Sequence, residues 1–242
     1  MAKPNRPAFN HRKASAAPQR KPPLDRERIV AATINILDSE GPGALTFRRL
    51  AADLGAGVAT LYWHVDSKEV LMDLALDHVL GEADKGFDAH PDQPWDQRLQ
   101  QGMVELWELL ARHPWAAHQA ILSDNRGPNL LHHWDRACAL LFSIGLEPDD
   151  VFYVMSTLFT YVVGVGMANA LWHDYGAADQ ETNHAAELQA AAQLFDEIPE
   201  DEYPDFRRVL PVFTTHTQEV EFLRGLDLVL AGIRARVATV AG

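Results

Sequence analysis

The chain has 242 residues, of which 47% are hydrophobic and 23% are charged, as in a soluble globular protein. It contains no run of about eighteen apolar residues, and no apolar segment follows its basic N-terminus. We therefore expect neither a membrane span nor a secretory signal. The single cysteine, Cys138, excludes an intrachain disulfide and fits a cytoplasmic location.

The net charge of −13 is distributed unevenly along the chain. Residues 1–72 carry eleven Lys and Arg against seven Asp and Glu, whereas residues 73–242 carry ten against twenty-seven. Binding to nucleic acid needs cations that displace the counterions condensed on phosphates, so only the N-terminal third suits a polyanion. A basic tail on an acidic protein has the same distribution, and charge alone leaves both interpretations open.

Residues 1–23 form the most basic segment of the chain. They include six Lys and Arg, five prolines and no acidic residue. Such a segment buries too little apolar surface to offset the entropy lost on ordering, so it is predicted to be a flexible arm.

The pattern of residues 24–74 predicts three short helices and the start of a fourth. The first begins near Leu24 and is stopped by Gly41-Pro42-Gly43. Thr46 is a favourable N-cap for the second, which Gly55 ends in the left-handed conformation. Only Ala56 and Gly57 separate Gly55 from the third helix, and Asp66-Ser67 offers an N-cap for the fourth. Two short helices joined by a tight turn containing glycine form a helix-turn-helix, whose second helix enters the major groove of DNA.

The third helix is predicted over residues 58–64. The spacing places six side chains in the small core: Leu50, Ala51, Leu54, Val58, Leu61 and Val65. It leaves five side chains facing outward: Arg48, Thr60, Tyr62, Trp63 and His64. Two large aromatics on an exposed face of a short helix are unusual in water and suit contact with DNA. The alternative is an ordinary helical hairpin in which Tyr62 and Trp63 pack inward.

Residues 75–242 show helical periodicity with no strand alternation and no internal repeat, so the predicted fold class is all-α. The remaining helices are predicted at 68–82, 95–112, from Pro114 onward, at 128–144, 149–172 and 218–237. Residues 173–204 are predicted to be a long acidic loop around a short alanine-rich helix.

Residues 45–76 resemble the helix-turn-helix of the tetracycline-repressor (TetR) family. The specific part is Thr60-Leu61-Tyr62-Trp63-His64-Val65 followed by Lys68, which is similar to the tetracycline-repressor branch itself. The resemblance implies a DNA-binding domain at residues 24–74 and a larger helical ligand-binding and dimerisation domain at residues 75–242. It also implies a ligand-responsive regulator, most simply a repressor, that binds a double-stranded operator and is released by a small molecule.

The resemblance also implies which residues contact DNA. They are Arg48, Thr60, Tyr62, Trp63, His64 and Lys68. Arg48 matches an arginine that binds a guanine in the family, and Lys68 matches a lysine that binds a phosphate. Residues 56–59 differ from the tetracycline repressor at positions that help to select bases, so a different operator sequence is expected.

A homodimer is expected on the same grounds. Gly164 and Gly166 in an apolar helix, with the stripe of apolar residues from Phe222 to Ile233, suggest an intersubunit bundle of two helices from each subunit, as in the family. One helix-turn-helix contacts few base pairs, whereas a two-fold pair recognises a palindrome.

The resemblance gives less information about the effector site than about the DNA-binding residues. His118 matches the histidine that holds magnesium in the tetracycline complex, but the glutamate that completes that site is replaced near Ala168. A lone histidine is a poor magnesium ligand set, so no metal and no cofactor are expected. The candidate residues for a small, largely apolar effector are His118, Phe159 and Trp172. The alternative for His118 is an interior or surface histidine without a ligand.

Two other classes of protein are alternatives to a regulator. An enzyme is not expected, because no metal-spaced His/Cys set or nucleophile motif is present and Gly164-x-Gly166 lacks the strand and third glycine of a dinucleotide site. The second alternative is a helical adaptor whose helix-turn-helix contacts protein. Salt-sensitive, sequence-selective DNA binding separates a regulator from both.

Overall fold

The computed structural model describes residues 24–83, 86–87, 90–123, 127–175, 193, 195, 197–213 and 217–240, with the side chains of 171–175 and 240 left out. The predicted arm 1–23 and most of the predicted loop 173–204 lie outside the described residues. Within them the fold is all-α, as predicted. The helices are α1 (Arg26–Glu40), α2 (Phe47–Leu54), α3 (Val58–Tyr62), α4 (Lys68–Leu80), α5 (Trp95–Arg112), α6 (Pro114–Leu122), α7 (Pro128–Ser143), α8 (Pro148–Tyr175), α9 (Pro204–Phe213) and α10 (Gln218–Val240).

Capping residues set the ends of the N-terminal helices. The side chains of Asp25, Thr46 and Ser67 each accept a hydrogen bond from the backbone N–H three residues later, at 2.9, 3.1 and 3.3 Å. Gly55 ends α2 with φ at 59°, in the left-handed region that glycine adopts without strain. The predicted caps at Thr46, Gly55 and Ser67 are therefore confirmed.

The small N-terminal core differs from the prediction at one residue. Leu50, Ala51, Leu61 and Val65 are buried, and Leu54 packs partly buried against them. The prediction that Val58 joins this core is wrong, because its side chain is 38% exposed. Val58 is the first residue of the five-residue helix α3, in which only Leu61 is buried.

Helix α4 continues through the predicted domain boundary at residues 74 and 75. Its buried side chains lie on both sides of that boundary, from Leu71 to Val79, and a 3-10 turn over Gly81–Ala83 follows. The helix packs against α1 on one side and against α5, α6 and α7 on the other. It is therefore shared by the two parts of the chain.

Helix α8 packs against α5, α6, α7 and α10 in the C-terminal core. A Cβ atom at Gly166 would lie 2.8 Å from Leu110 Cδ1 and 3.3 Å from Ala117 Cβ, so this glycine permits close packing of α8 on α5 and α6. The stripe on α10 is buried in the same core, where Phe222, Leu226, Leu230 and Ile233 are at most 6% exposed. The prediction that Gly166 and this stripe face a second subunit is therefore wrong, since both are covered by their own chain. At Gly164, by contrast, a Cβ atom would meet nothing within 4 Å.

Residues 148–170 of α8 are long and apolar enough to cross a membrane by length and mean hydropathy alone. The sequence pattern predicts a helix over 149–172 here and no membrane span. In the structure α8 contacts α5, α6, α7 and α10, and Val154, Leu158 and Val162 on its inner side are buried. The core helix of a soluble protein meets the same two criteria, so this one segment is weak evidence for a membrane span.

Helix α9 was not predicted. Pro204 and Asp205 begin it, and its apolar residues Phe206, Val209, Leu210 and Phe213 follow helical spacing. Pro211 lies inside the helix. A proline in a helix interior normally breaks the helix, so Pro211 argues in the sequence against a helix that the apolar spacing favours. Only Leu210 is buried, so α9 presents most of its apolar side chains at the surface.

Candidate functional site

The short turn at the end of α3 presents two large aromatic side chains to solvent. Trp63 is 88% exposed and Tyr62 is 53% exposed. The ring of Tyr62 stacks on that of Phe47 from α2, with centroids 4.4 Å apart and planes 5° from parallel. This stacking fixes the orientation of the tyrosine ring. The alternative in which Tyr62 and Trp63 pack inward is therefore wrong.

The neighbouring arginines of α2 have different surroundings. Arg49 donates hydrogen bonds to Glu40 at 2.6 Å and to Asp53, and these bonds raise the pKa of its guanidinium. Arg49 is thus tied to two carboxylates of its own domain. Arg48, one position earlier, is exposed. Arg48 therefore faces outward as the helical spacing predicts, whereas Arg49 is paired within its own domain.

Lys68 begins α4 and is half-buried. Its Nζ donates a hydrogen bond to the carbonyl oxygen of Pro42 at 2.8 Å, across 26 residues of sequence. An ammonium group has three N–H donors, so this bond leaves donor capacity for an anion. The contact is not predictable from sequence, because no local pattern relates two residues that are 26 positions apart.

The turn of α3 brings four of the six candidate DNA-contact residues onto one segment. Thr60, Tyr62, Trp63 and His64 are all exposed. Their hydroxyl, phenol, indole and imidazole groups are hydrogen-bond donors of the kind that bind phosphate oxygens and base edges. Helix α3 itself ends at Tyr62, so Trp63 and His64 lie in a turn rather than in the helix predicted to end at residue 64.

The three candidate effector residues are placed on two helices that pack together. His118 is exposed on α6 and Phe159 is half-buried on α8. The ring of Phe159 meets that of Trp134 from α7 edge to face, with centroids 6.0 Å apart. Trp134 is 43% exposed, so this aromatic pair is accessible from the surface. The side chain of Trp172 lies outside the described residues.

A cleft of about 190 Å³ lies elsewhere, between α5 and α7. Its lining residues are Arg98, Arg136, Ala139, Leu140 and Ser143, which include none of the effector candidates. It is smaller than the roughly 300–1,000 Å³ of typical small-molecule sites. Among the residues that the structure describes, no group of three or more His, Cys, Asp or Glu is placed to hold a metal ion.

Comparisons with known proteins cover nearly the whole described chain. Residues 29–75 match the model "Bacterial regulatory proteins, tetR family", and residues 88–237 match "Tetracyclin repressor-like, C-terminal domain". An HTH-type transcriptional regulator of Saccharopolyspora erythraea is 33% identical over 215 residues, covering 89% of this chain and 86% of the relative. The HTH-type transcriptional repressor DrrR1 of Streptomyces coeruleorubidus is 33% identical over 144 residues, covering 60% and 53%. The structure of ActR from Streptomyces coelicolor in complex with actinorhodin has a TM-score of 0.76 at 27% identity, covering 89% of this chain and 99% of ActR.

Proposed function

Because this chain belongs to the TetR family of bacterial regulatory proteins and is a DNA-binding transcriptional regulator, we propose that it represses as a homodimer on a palindromic operator. The DNA-binding part is residues 24–74, the sensing and dimerisation part is residues 75–242, and residues 1–23 are a basic arm. A small, largely apolar molecule releases the operator. The proposal places the chain in the cytoplasm and assigns it no catalytic step, cofactor or membrane partner.

The observation that carries this proposal is the exposed aromatic turn of the helix-turn-helix. An indole that is 88% exposed beside a half-exposed phenol is costly in water, and DNA is a partner that covers both while accepting their hydrogen bonds. Arg48, Thr60, Tyr62, Trp63, His64 and Lys68 are proposed to make the contacts. Of these, Arg48 is proposed to bind a guanine and Lys68 a phosphate.

Selection of double-stranded DNA from a random pool tests this function. We expect the full chain to enrich a palindromic sequence and to bind it with an affinity that falls steeply with salt. Screening compounds for release of the selected DNA then identifies the effector class. Retention without sequence preference or salt dependence would instead favour the adaptor hypothesis.

The proposed dimer uses the outward sides of α8 and α10, which contact each other within the subunit. Phe152 and Tyr153 of α8 are 66% exposed and Leu228 of α10 is 76% exposed. Gly164 and Gly232 lie on the same two helices, and a Cβ at either would meet nothing within 4 Å. Small residues beside large exposed apolar ones suit close packing against a second pair of helices.

Replacing Leu228 by glutamate is expected to dissociate the dimer, since it would bury a charge in an apolar interface. Sedimentation equilibrium at micromolar concentration measures the change. Leu131→Glu is the control, because Leu131 is 53% exposed but lies on α7. A wild-type chain that sediments as a monomer and binds DNA one-to-one would contradict the proposed dimer.

The proposed effector site lies near Trp134 and Phe159, with His118 and Trp172 as further candidates. An accessible aromatic pair suits the apolar part of a small molecule. The related ActR was solved in complex with actinorhodin, which supports a small-molecule effector here. Coupling between the two sites is reciprocal, so the effector weakens DNA binding by the factor that DNA weakens effector binding, typically 5–150-fold.

Helix α4 provides a direct connection between the two sites. It begins at Lys68, six residues after α3 ends, and packs against α5, α6 and α7. Successive major grooves on one face of DNA lie roughly 34–36 Å apart, so a small tilt of α4 in each subunit misplaces both recognition helices. An effector that binds at saturation without changing operator affinity would contradict this mechanism.

A further inference from the structure

Three carboxylates of the N-terminal helices accept hydrogen bonds from helices of the C-terminal part. Asp38 lies in the last turn of α1, and Asp73 and Asp77 lie four residues apart on α4. Each accepts hydrogen bonds from residues at an end of α6 or at the start of α7. We refer to Asp38, Asp73 and Asp77 as the acidic seam.

Asp38 binds the first turn of α6. Its Oδ1 accepts a hydrogen bond from Trp115 Nε1 at 2.7 Å and lies 2.8 Å from His113 Nδ1. A carboxylate only accepts, so Nδ1 of His113 carries the proton that is donated. The Trp115 residue is 5% exposed and the His113 side chain 11%, so both donors lie largely out of water. The carboxylate also lies at the N-terminal end of α6, where the helix dipole favours negative charge.

Asp73 binds the opposite end of α6. It accepts hydrogen bonds from Gln119 Nε2 at 2.9 Å and from Ser123 Oγ at 2.5 Å. Helix α6 is therefore attached at its start to α1 and at its end to α4.

Asp77 caps α7 from outside that helix. It accepts hydrogen bonds from the backbone N–H groups of Asn129 at 3.1 Å and Leu130 at 3.2 Å. The N-cap of α7 is Gly127, which has no side chain for this purpose, and a Cβ at Gly127 would overlap the Asp77 carboxylate. This glycine allows a residue of α4 to supply the cap.

We propose that Asp38 is a positioning residue that fixes the orientation of α1–α3 through the first turn of α6. Asp73 and Asp77 both lie on α4, so their hydrogen bonds attach α6 and α7 to a single helix of the N-terminal part. Asp38 adds an attachment from a second helix, α1, to the start of α6. DNA affinity then depends on the contact between α1 and α6 as well as on α4. The inference rests on the proposed function only where it concerns DNA.

Distances between two spin labels within one chain test the orientation directly. The native Cys138 is replaced by serine, and cysteines are placed at the exposed residues Ala52 on α2 and Asp135 on α7. Mixing with excess unlabelled protein limits the signal to pairs within a chain, whether the chain is a monomer or a dimer. In this background we expect one narrow distance distribution, and Asp38→Ala should broaden it.

Glu40→Gln is the matched control, because Glu40 lies at the same end of α1 as Asp38. Its carboxylate pairs with Arg49 of α2 and not with α6. The Glu40→Gln substitution should leave the distribution narrow. Trp115→Phe removes one donor to Asp38 but keeps an aromatic ring, so it should broaden the distribution in part. This variant tests the proposal even where Asp38→Ala does not fold. An Asp38→Ala distribution that superimposes on that of the background would overturn the proposal.

Operator DNA from the selection provides the second measurement. Asp38→Ala should weaken its binding about 3- to 30-fold, because only a fraction of the broadened ensemble is competent to bind. The slope of affinity against salt should not change, because no phosphate contact is removed. A changed slope would mean that Asp38 acts at the DNA surface, which contradicts a positioning role. If no DNA is selected at all, the proposed function fails while the spin-label distances still decide the role of Asp38.

Discussion

Replacing Arg48 by alanine is expected to weaken operator binding by about 1–3 kcal/mol for each contact and to relax the base preference at one symmetric pair of positions. A dimer loses the contact twice, so the total loss is about 2–6 kcal/mol. Lys68→Ala should weaken all sequences alike and lower the salt slope by about one unit per subunit. Fluorescence anisotropy on the selected operator and on its single-base variants, at several salt concentrations, measures both effects.

Arg49→Ala is the matched control for this pair of variants. Arg49 is bound to Glu40 and Asp53 within its own domain, so its loss should leave base preference unchanged. The roles assigned to Arg48 and Lys68 would be reversed if Lys68→Ala changed the sequence preference and Arg48→Ala did not.

Replacing Phe222 by alanine is expected to lower the free energy of unfolding by about 3–5 kcal/mol. Phe222 is fully buried between two rings: Trp107 at 4.8 Å and 8°, and Tyr161 at 5.7 Å and 14°. The substitution leaves a cavity and removes both stacking contacts. The hydroxyl of Tyr161 donates to the backbone carbonyl of Phe222 at 2.8 Å, and this bond does not depend on the phenyl ring.

Chemical denaturation at several protein concentrations measures this loss, because the concentration dependence separates the stability of the subunit from that of a dimer. Leu228→Ala is the control on the same helix. Leu228 is 76% exposed in the subunit, so its loss should affect mainly the concentration-dependent part. A loss below about 1 kcal/mol for Phe222→Ala would contradict the close packing of α10 on α5 and α8.

Helix ends in the N-terminal part were predictable because their causes are local. Thr46, Gly55 and Ser67 act within three or four residues, and each caps a helix as predicted. The exposure of Tyr62 and Trp63 was also predictable, since the apolar spacing of α2 and α3 leaves them outside the core. Helix α9 was missed because Pro211 opposed a pattern that the rest of the segment supports.

Contacts between distant segments were not predictable from one sequence. Helix α10 has apolar residues on two sides, and spacing alone cannot show that the side with Phe222 faces its own chain while Leu228 stays exposed. Asp38 and its partner Trp115 are 77 residues apart, and an aspartate near a helix end has no sequence signal for a tertiary contact. Both outcomes depend on how the helices pack together.

Helix α4 determines how this regulator can be recombined with others. A chimera joined at residue 74, where the family resemblance places the boundary, would divide a helix that has buried side chains on both sides of the junction. A foreign C-terminal half would meet Asp38 and Asp73 without the donors that α6 supplies to them here. A DNA-binding part taken from this chain must therefore include α4 through Ala83. The sensing part joined to it must supply the donors for Asp38, Asp73 and Asp77. New combinations of DNA-binding and sensing parts are thus restricted to pairs with compatible polar groups at this junction.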